Sequence, residues 1–326
     1  MKVKVGVIGL GFMGSAHARV YGKLEECELV GVCDSNPEKK HLAKTCNCKF
    51  FEDCEEFLAE DLDAVSVCTP TSMHRDVVIA ALEKGKHVLV EKPFADTIKN
   101  GEEMMKKAER MDRLLAVGYI ERFNSAVSKL RELVDFSQIY STVSMRFGPF
   151  PPRTKYSGVF LDLASHEIDI LNYLTETQPE VLYSHFSSRA NNRFEDYAYI
   201  SLKYGHMHSH IEASWLPNYK LRLINLYGNE GFYTLNYAQQ KLRSYRAPPK
   251  ARIEHGSWDD ILWLSRHVED EIPVSSSEPL LMELKCFVES VKKHEILDPL
   301  CNTQEALQVL EVAESAFSKV GLNKQK

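Results

Sequence analysis

The sequence predicts a doubly wound α/β unit with a parallel sheet, followed by an α+β unit with a large, mostly antiparallel sheet. Three observations carry that reading. Over the first 120 residues, short apolar runs alternate with helical patterns, as in βαβ units whose sheet is covered on both faces. A glycine-rich run, GLGFMG, sits between the first expected strand and the first expected helix. Beyond residue 135 the apolar period shortens to two, as in strands packed on one face. At 326 residues the chain exceeds one ordinary core. The division is placed at 120, giving units 1–120 and 121–326, with the last helix able to pack back on the first unit.

In the first unit, residues 3–8 read as a strand, 13–24 as a helix, 28–33 as a strand and 37–44 as a helix opened by Pro37. A short strand is expected at 49–51. Runs 64–68 and 87–90 read as buried strands separated by a helix at 73–84. A helix at 98–111 and a strand at 114–117 complete the unit. In the second unit a helix is expected at 122–134 and an alternating strand at 139–147. A turn-rich stretch, GPFPPRTKYSG, precedes a helix at 159–174. Alternation then marks strands at 181–189, 197–203, 207–215, 220–226, 232–235 and 241–245. Residues 247–279 hold Pro, Ser, Trp and His without a clear period and read as an ordered loop. Helices at 280–293 and 303–320 close the chain.

Composition excludes several classes. The chain is 44% hydrophobic and 26% charged, with a net charge of -6, which is ordinary for a globular protein in water. Nothing basic enough for a nucleic-acid footprint is present, and no apolar run reaches membrane-spanning length. The N-terminal run is short, broken by glycines and without a small-residue cleavage site, so it reads as a strand and turn rather than a signal peptide. The eight cysteines include no C-x-x-C pair. Without a secretory signal they read as reduced thiols in a cytoplasm. The spacing of Cys46, Cys48 and Cys54 does not match the usual zinc patterns.

Gly9, Gly11 and Gly14, with Phe12 and Met13, form G-x-G-x-x-G after a strand and at the head of a helix. Asp34 lies about twenty residues further on, at the end of the next strand. In that context the run is a Rossmann fingerprint. Glycines let the backbone approach a pyrophosphate, whose charge suits the helix N-terminus. A carboxylate at Asp34 accepts bonds from ribose hydroxyls and repels a 2′-phosphate, so NAD is expected rather than NADP. Thr69-Pro70-Thr71 and Glu91-Lys92 end neighbouring strands and are expected to line the crevice. His74 is either a crevice contact or a helix-start residue.

The stretch LVEKPF, residues 89–94, ends a buried strand by turning a lysine toward the interior. Further on, Asp162 and His166 are four residues apart and would share a helix face. Such a pair either stabilises the helix or offers two polar groups on an otherwise apolar element.

Through GLGFMG, TPTSMH at 69–74, GKHVLVEKPF at 85–94 and DLASHEID at 162–169, the chain resembles the Gfo/Idh/MocA oxidoreductases over most of its length. The resemblance implies a dehydrogenase in which Lys92, Asp162 and His166 meet around the substrate carbon facing the nicotinamide. Some members have tyrosine where this chain has His166. Histidine suits removal of a hydroxyl proton near neutral pH. Asp162 would orient the substrate and stabilise a protonated imidazole, and Lys92 would donate to the oxygen as negative charge develops. Whether Lys92 or His166 finally holds the proton stays open.

Residues 118–130 and 145–174 resemble the branch that acts on nucleotide sugars, in particular UDP-N-acetylglucosamine 3-dehydrogenases. That implies oxidation at a 3-hydroxyl, with Arg122, Asn124, Arg153 and Tyr156 as candidate contacts to sugar or diphosphate. For each arginine an ordinary surface position is the alternative. Two other readings stand beside this one: a dehydrogenase of a free sugar, cyclitol or dihydrodiol, and a non-catalytic NAD(P)-binding regulator. The presence of all three of Lys92, Asp162 and His166 speaks against the regulator. His206, His208, His210 and Glu212 alternate on one strand face, which is either a metal set or a solvated or subunit-contact face. No metal site is expected. The family pairs subunits through this sheet, which implies a homodimer or homotetramer.

Overall fold

The computed structural model describes residues 2–150, 157–190, 193–246 and 268–320. Strands β1 (Val3–Ile8), β2 (Cys27–Cys33), β3 (Lys49–Phe51), β4 (Ala64–Val67), β5 (His87–Glu91) and β6 (Leu115–Gly118) pair in parallel in the order β6-β5-β4-β1-β2-β3. The order reverses between β1 and β4, which opens a crevice beyond their carboxyl ends. Helices α1 (Phe12–Tyr21), α2 (Lys40–Cys46), α3 (Cys54–Leu58), α4 (Thr71–Glu83) and α5 (Ile98–Met111) link these strands. Every residue of β4 and β5 is buried, in keeping with their mostly apolar composition.

The second sheet holds β7 (Ile139–Phe147), β8 (Glu180–Ser187), β9 (Tyr197–Tyr204), β10 (Met207–Ser214), β11 (Leu221–Gly228), β12 (Gly231–Asn236), β13 (Lys241–Arg246) and β14 (Val268–Ile272), in the order β14-β13-β12-β11-β7-β10-β9-β8. Its pairs are antiparallel except β7 with β10. Along β7, Thr142, Ser144 and Arg146 are buried while Val143, Met145 and Phe147 are half-buried, so one face is covered and the other is open. Helices α6 (Ser125–Leu133) and α7 (Ser165–Thr175) precede β7 and β8. Helix α8 (Pro279–Lys293) lies against α1 and β1, β15 (Cys301–Asn302) pairs antiparallel with β6, and α9 (Thr303–Lys319) packs on α5, α7 and β8.

Two cores result. On one face of the first sheet, Val3, Val5 and Val7 pack with Leu284, Phe287 and Val288. On the other, Val65, Val67, Val88 and Val90 belong to a cluster that continues through Ile168, Ile200 and Leu226 beneath the second sheet. The sheets therefore share a core, and the end of β5 is held against the segment entering α7.

Several expectations are corrected. The helix expected at 122–134 is a 3-10 turn, Ile120–Phe123, and then α6. Asn124 interrupts it, because its side chain accepts from Ala126 N at 3.1 Å and caps a new helix. The helix expected at 37–44 likewise opens as a 3-10 turn, Pro37–Lys39, capped by Asn36. The helix expected at 159–174 starts with a π turn, Phe160–Ala164, before α7. Of the loop expected at 247–279, residues 247–267 lie outside the described residues. Within the rest, β14 is an edge strand, and its Glu269, Asp270 and Glu271 pair with Arg243, Arg246 and Lys241. Charges along an edge mask the strand period. The elements α3 and β15 are too short to leave a periodic signal.

Candidate functional site

The first turn of the crevice is built by its glycines. Gly9 has φ +87°, and a Cβ there would lie 2.9 Å from the Cys68 carbonyl and Thr69 N. A Cβ at Gly14 would collide with the carbonyl oxygen of Gly9. Gly11 differs: a Cβ there meets nothing within 4 Å, so the turn is open at the residue that precedes α1. Phe12 beside it is 81% exposed, while Met13 packs partly into the core. The residues fit a dinucleotide, with packed glycines shaping the turn and an open one facing solvent at a helix N-terminus.

Asp34 Oδ2 accepts from Leu10 N at 2.6 Å, and Oδ1 accepts from Asn36 N at 2.9 Å. It thus clamps the glycine turn to the end of β2. Each oxygen keeps a second lone pair for a ribose hydroxyl. Pro70 precedes α4 and Thr71 opens it. The Thr69 hydroxyl is buried without a partner among the described residues.

His74 and Glu91 are corrected from contacts to supports. His74 is 1% exposed. Its Nε2 faces Thr69 O at 2.9 Å and its Nδ1 faces Pro93 O at 3.1 Å, so the imidazole sits between the two crevice loops and, when neutral, donates to one of them. Burial holds its pKa below the ordinary value, against the pull of those carbonyls. Glu91 is buried, and its Oε1 meets His17 Nε2 at 2.9 Å.

The lysine of LVEKPF reaches the second unit. Lys92 Nζ donates to the Asp162 carboxylate at 3.0 Å and to the Asp162 backbone oxygen at 2.8 Å. The π turn at Phe160–Ala164 loosens the helical ladder where that carbonyl is used. The carboxylate of Asp162 therefore serves Lys92 rather than stabilising the helix through His166. Burial alone would raise the Asp162 carboxyl, but Lys92, a hydrogen bond from Trp215 and the Arg146 charge hold it below the usual range.

His166 is 9% exposed, with the Tyr119 ring edge-on at 6.3 Å. Its pKa lies well below the ordinary value, first through burial and then through Lys92, Arg146 and Arg222. It is neutral at pH 7 and has a lone pair for a proton.

Of the substrate contacts expected from sequence, Arg122 and Asn124 are corrected. Arg122 is 2% exposed and makes a fork with Asp169, at 2.6 Å from Nη2, and a second pair with Glu305 at 2.8 Å. Asn124 is buried, caps α6 and donates to Tyr237 O at 3.0 Å. Both hold the junction between the sheets. Arg153 and Tyr156 lie outside the described residues.

Sequence reasoning missed the charged layer behind His166. Arg146 is buried and donates to Glu167 at 2.6 Å and Glu121 at 3.1 Å, and Arg222 shares that Glu121 oxygen at 3.2 Å. The signal was available: Arg146 and Arg222 occupy the inward parity of β7 and β11. Also missed was a buried set made of His17, Glu91 and Glu283, whose ligand atoms all lie within 4.8 Å. It is the one group among the described residues able to hold a metal. Burial, Glu91 and Asp169 push the Glu283 carboxyl well above the carboxylate range, so a neutral acid also fits. On the open sheet face, His210 Nδ1 meets the Tyr199 hydroxyl at 3.0 Å. A groove of about 800 Å³ lined by Phe123, Ser125, Met282 and Lys285 lies elsewhere and touches none of Lys92, Asp162 and His166.

Comparison with known proteins follows the same division. Residues 3–119 match the oxidoreductase family with an NAD-binding Rossmann fold, and residues 134–234 match the GFO/IDH/MocA C-terminal domain. A UDP-N-acetylglucosamine 3-dehydrogenase of Acidithiobacillus ferrooxidans is 35% identical over 178 residues, covering 54% of this chain and 56% of that protein. A myo-inositol 2-dehydrogenase of Thermotoga maritima is 28% identical over 56% of this chain and 58% of that protein. A glucose-6-phosphate 3-dehydrogenase of Bacillus subtilis is 32% identical over 53% and 54%. The chain thus spans a little over half the length of these curated relatives. A solved structure of the Acidithiobacillus enzyme superposes with a TM-score of 0.84 at 25% identity, covering 96% of each chain. No described helix is long and apolar enough to cross a membrane. With both halves matched in order and the fold shared from end to end, the chain belongs to the Gfo/Idh/MocA oxidoreductase family.

Proposed function

We propose that the chain is an NAD-dependent dehydrogenase that oxidises a secondary alcohol of a sugar, and that its substrate is a nucleotide sugar such as UDP-N-acetylglucosamine, oxidised at the 3-hydroxyl. The observation that carries this is the meeting of Lys92 with Asp162, beside the neutral His166. Alcohol oxidation needs a hydride acceptor, a proton acceptor and a donor to the oxygen as it becomes an alkoxide. NAD, when bound at the glycine turn, supplies the hydride acceptor. His166, already deprotonated, takes the hydroxyl proton. Lys92, fixed by two bonds to Asp162, donates to the same oxygen. Asp162 keeps the lysine in place and offsets the charge that His166 acquires.

In this reading residues 1–120 bind the cofactor and 121–326 bind substrate and pair subunits. Pairing is assigned to the open face of the second sheet. Support comes from its aromatic ladders, exposed at Tyr183 in Tyr183–Tyr199–His210 and half-buried in Tyr227–Phe232–Tyr245, where the Phe232 and Tyr245 rings stack at 4.2 Å.

Nicotinamide absorbance with NAD and a panel of UDP-sugars, free sugars and inositols tests the reaction. A coupled aminotransferase, consuming a 3-keto product, removes an unfavourable equilibrium from the outcome. Turnover of UDP-N-acetylglucosamine is expected. Turnover of a free sugar or inositol alone would overturn the substrate and leave the dehydrogenase. No turnover anywhere on the panel would favour a nucleotide-binding protein without this activity.

A further inference from the structure

With Arg122 locked to Asp169 and Glu305, the cation that could meet a charged substrate must come from elsewhere. Arg222 stands on β11 directly opposite Arg146 of β7, on the covered face of the second sheet. Two like charges opposite each other on neighbouring strands repel. Arg146 has its own carboxylates: it is 1% exposed, donates to Glu167 and Glu121, and lies over the Tyr237 ring. Among the described residues Arg222 receives only a share. Its Nη1 meets Glu121 Oε1 at 3.2 Å, and that oxygen already accepts from both terminal nitrogens of Arg146. A guanidinium has five N–H donors, so most of the fork is left for another acceptor. The side chain is 37% exposed, so it is open to a ligand. Hydrogen bonds tie it to the chemistry: Arg222 shares Glu121 with Arg146, and Arg146 donates to Glu167, the residue after His166. Burial and then Arg146 lower the Arg222 pKa, so the cation is under-solvated where it stands.

We propose that Arg222 is a specificity-determining residue that binds a phosphoryl group carried by the substrate whose hydroxyl meets Lys92 and His166. The proposal rests on the dehydrogenase reading and narrows its substrate to phosphate-bearing sugars. A planar fork with free donors suits phosphate oxygens, which accept two parallel bonds. A neutral cyclitol or free sugar offers no charge to offset the Arg146–Arg222 repulsion. Phosphoryl oxygens occur both in a nucleoside diphosphate sugar and in a sugar monophosphate, and the test separates these.

The test compares wild type, Arg222→Gln and Arg222→Lys with UDP-N-acetylglucosamine, glucose 6-phosphate and myo-inositol, each with NAD. Binding of UDP at saturating NADH is measured by calorimetry in parallel. Loss of a charge-assisted contact is expected to raise KM for the phosphate-bearing substrate and Kd for UDP by roughly tenfold or more. The effect falls on KM rather than kcat, and lysine restores part of it. The substrate whose KM responds identifies the phosphate source. Equal KM and equal UDP affinity in wild type and Arg222→Gln would overturn the proposal. So would turnover of myo-inositol alone, which leaves the dehydrogenase standing. If no compound turns over, the dehydrogenase reading fails, and UDP affinity alone then decides for or against Arg222.

Discussion

Lys92 and Asp162 lie 70 residues apart and are joined twice, through the side chain of Asp162 and through its backbone oxygen. The second bond makes the lysine a reporter of the π turn as well as of the carboxylate. Lys92→Ala is expected to lower kcat by about 10²–10⁴-fold while NAD still binds. Asp162→Asn keeps the backbone acceptor and is expected to lower kcat less than Lys92→Ala does. Rate measurements with a separate NAD titration check both, and equal rates for Lys92→Ala and wild type would remove the lysine from the chemistry.

His166 gives a pH signature. Burial and nearby cations depress its pKa, so the neutral form that takes a proton persists below pH 6.5. The rate is therefore expected to hold from pH 8 through pH 6.5 and to fall only below that. Stability runs the same way. The unfolded chain takes up this proton near the ordinary histidine value and the folded chain does not, so this contribution is full above about pH 6.5 and is lost as pH falls toward the folded value. His166→Asn should lose most of kcat and flatten that part of the stability profile. A rate that halves already at pH 7 would contradict the depressed pKa.

Asp34 has two tasks that one substitution can separate. Its carboxylate clamps Leu10 N at 2.6 Å, and in the proposed reading it also repels a 2′-phosphate. Asp34→Asn retains an acceptor for Leu10 and loses the charge, so it is expected to narrow the gap between NAD and NADP affinities with little change in Tm. Asp34→Ala should narrow the gap and lower Tm. Unchanged discrimination in both variants would take cofactor choice away from this residue.

Arg122 marks where the sequence was legible and where it was not. The succession of strands along the chain and the glycine turn are local patterns, written as periods and short motifs. A residue's burial is not local: Arg122 and Arg222 look alike in sequence, yet one is sealed by Asp169 and Glu305 and the other is half-open. The π turn at Phe160–Ala164 was hidden too, since one wider turn leaves the apolar period nearly intact. Arg122→Ala leaves Asp169 as a buried charge without its partner. It is expected to cost about 3–5 kcal/mol of stability, read by chemical denaturation, with KM for the sugar little changed in the folded fraction. A KM effect without loss of stability would return Arg122 to the substrate.

Glu283 is fully buried, with both carboxyl oxygens unpartnered among the described residues and with Glu91 and His17 beside it. Burial, Glu91 and Asp169 raise its pKa well above the carboxylate range. Below the unfolded value, about 4.3, both states hold the proton and the group costs nothing. As pH rises past that value the unfolded chain ionises and the folded chain does not, so stability falls with each unit until the folded pKa is reached. Glu283→Gln keeps the shape of the neutral acid and cannot ionise. It should gain on wild type as pH rises above the unfolded value toward the raised folded value. Thermal unfolding of both proteins at pH 5 and pH 8, with and without a chelator, is the measurement. A metal held by His17, Glu91 and Glu283 would give the reverse pattern: chelator would lower the Tm of wild type, and Glu283→Gln would lose stability at pH 8. A neutral acid predicts no chelator effect and a variant that is the more stable protein at pH 8, because the proton it replaces is the one the buried cluster already requires.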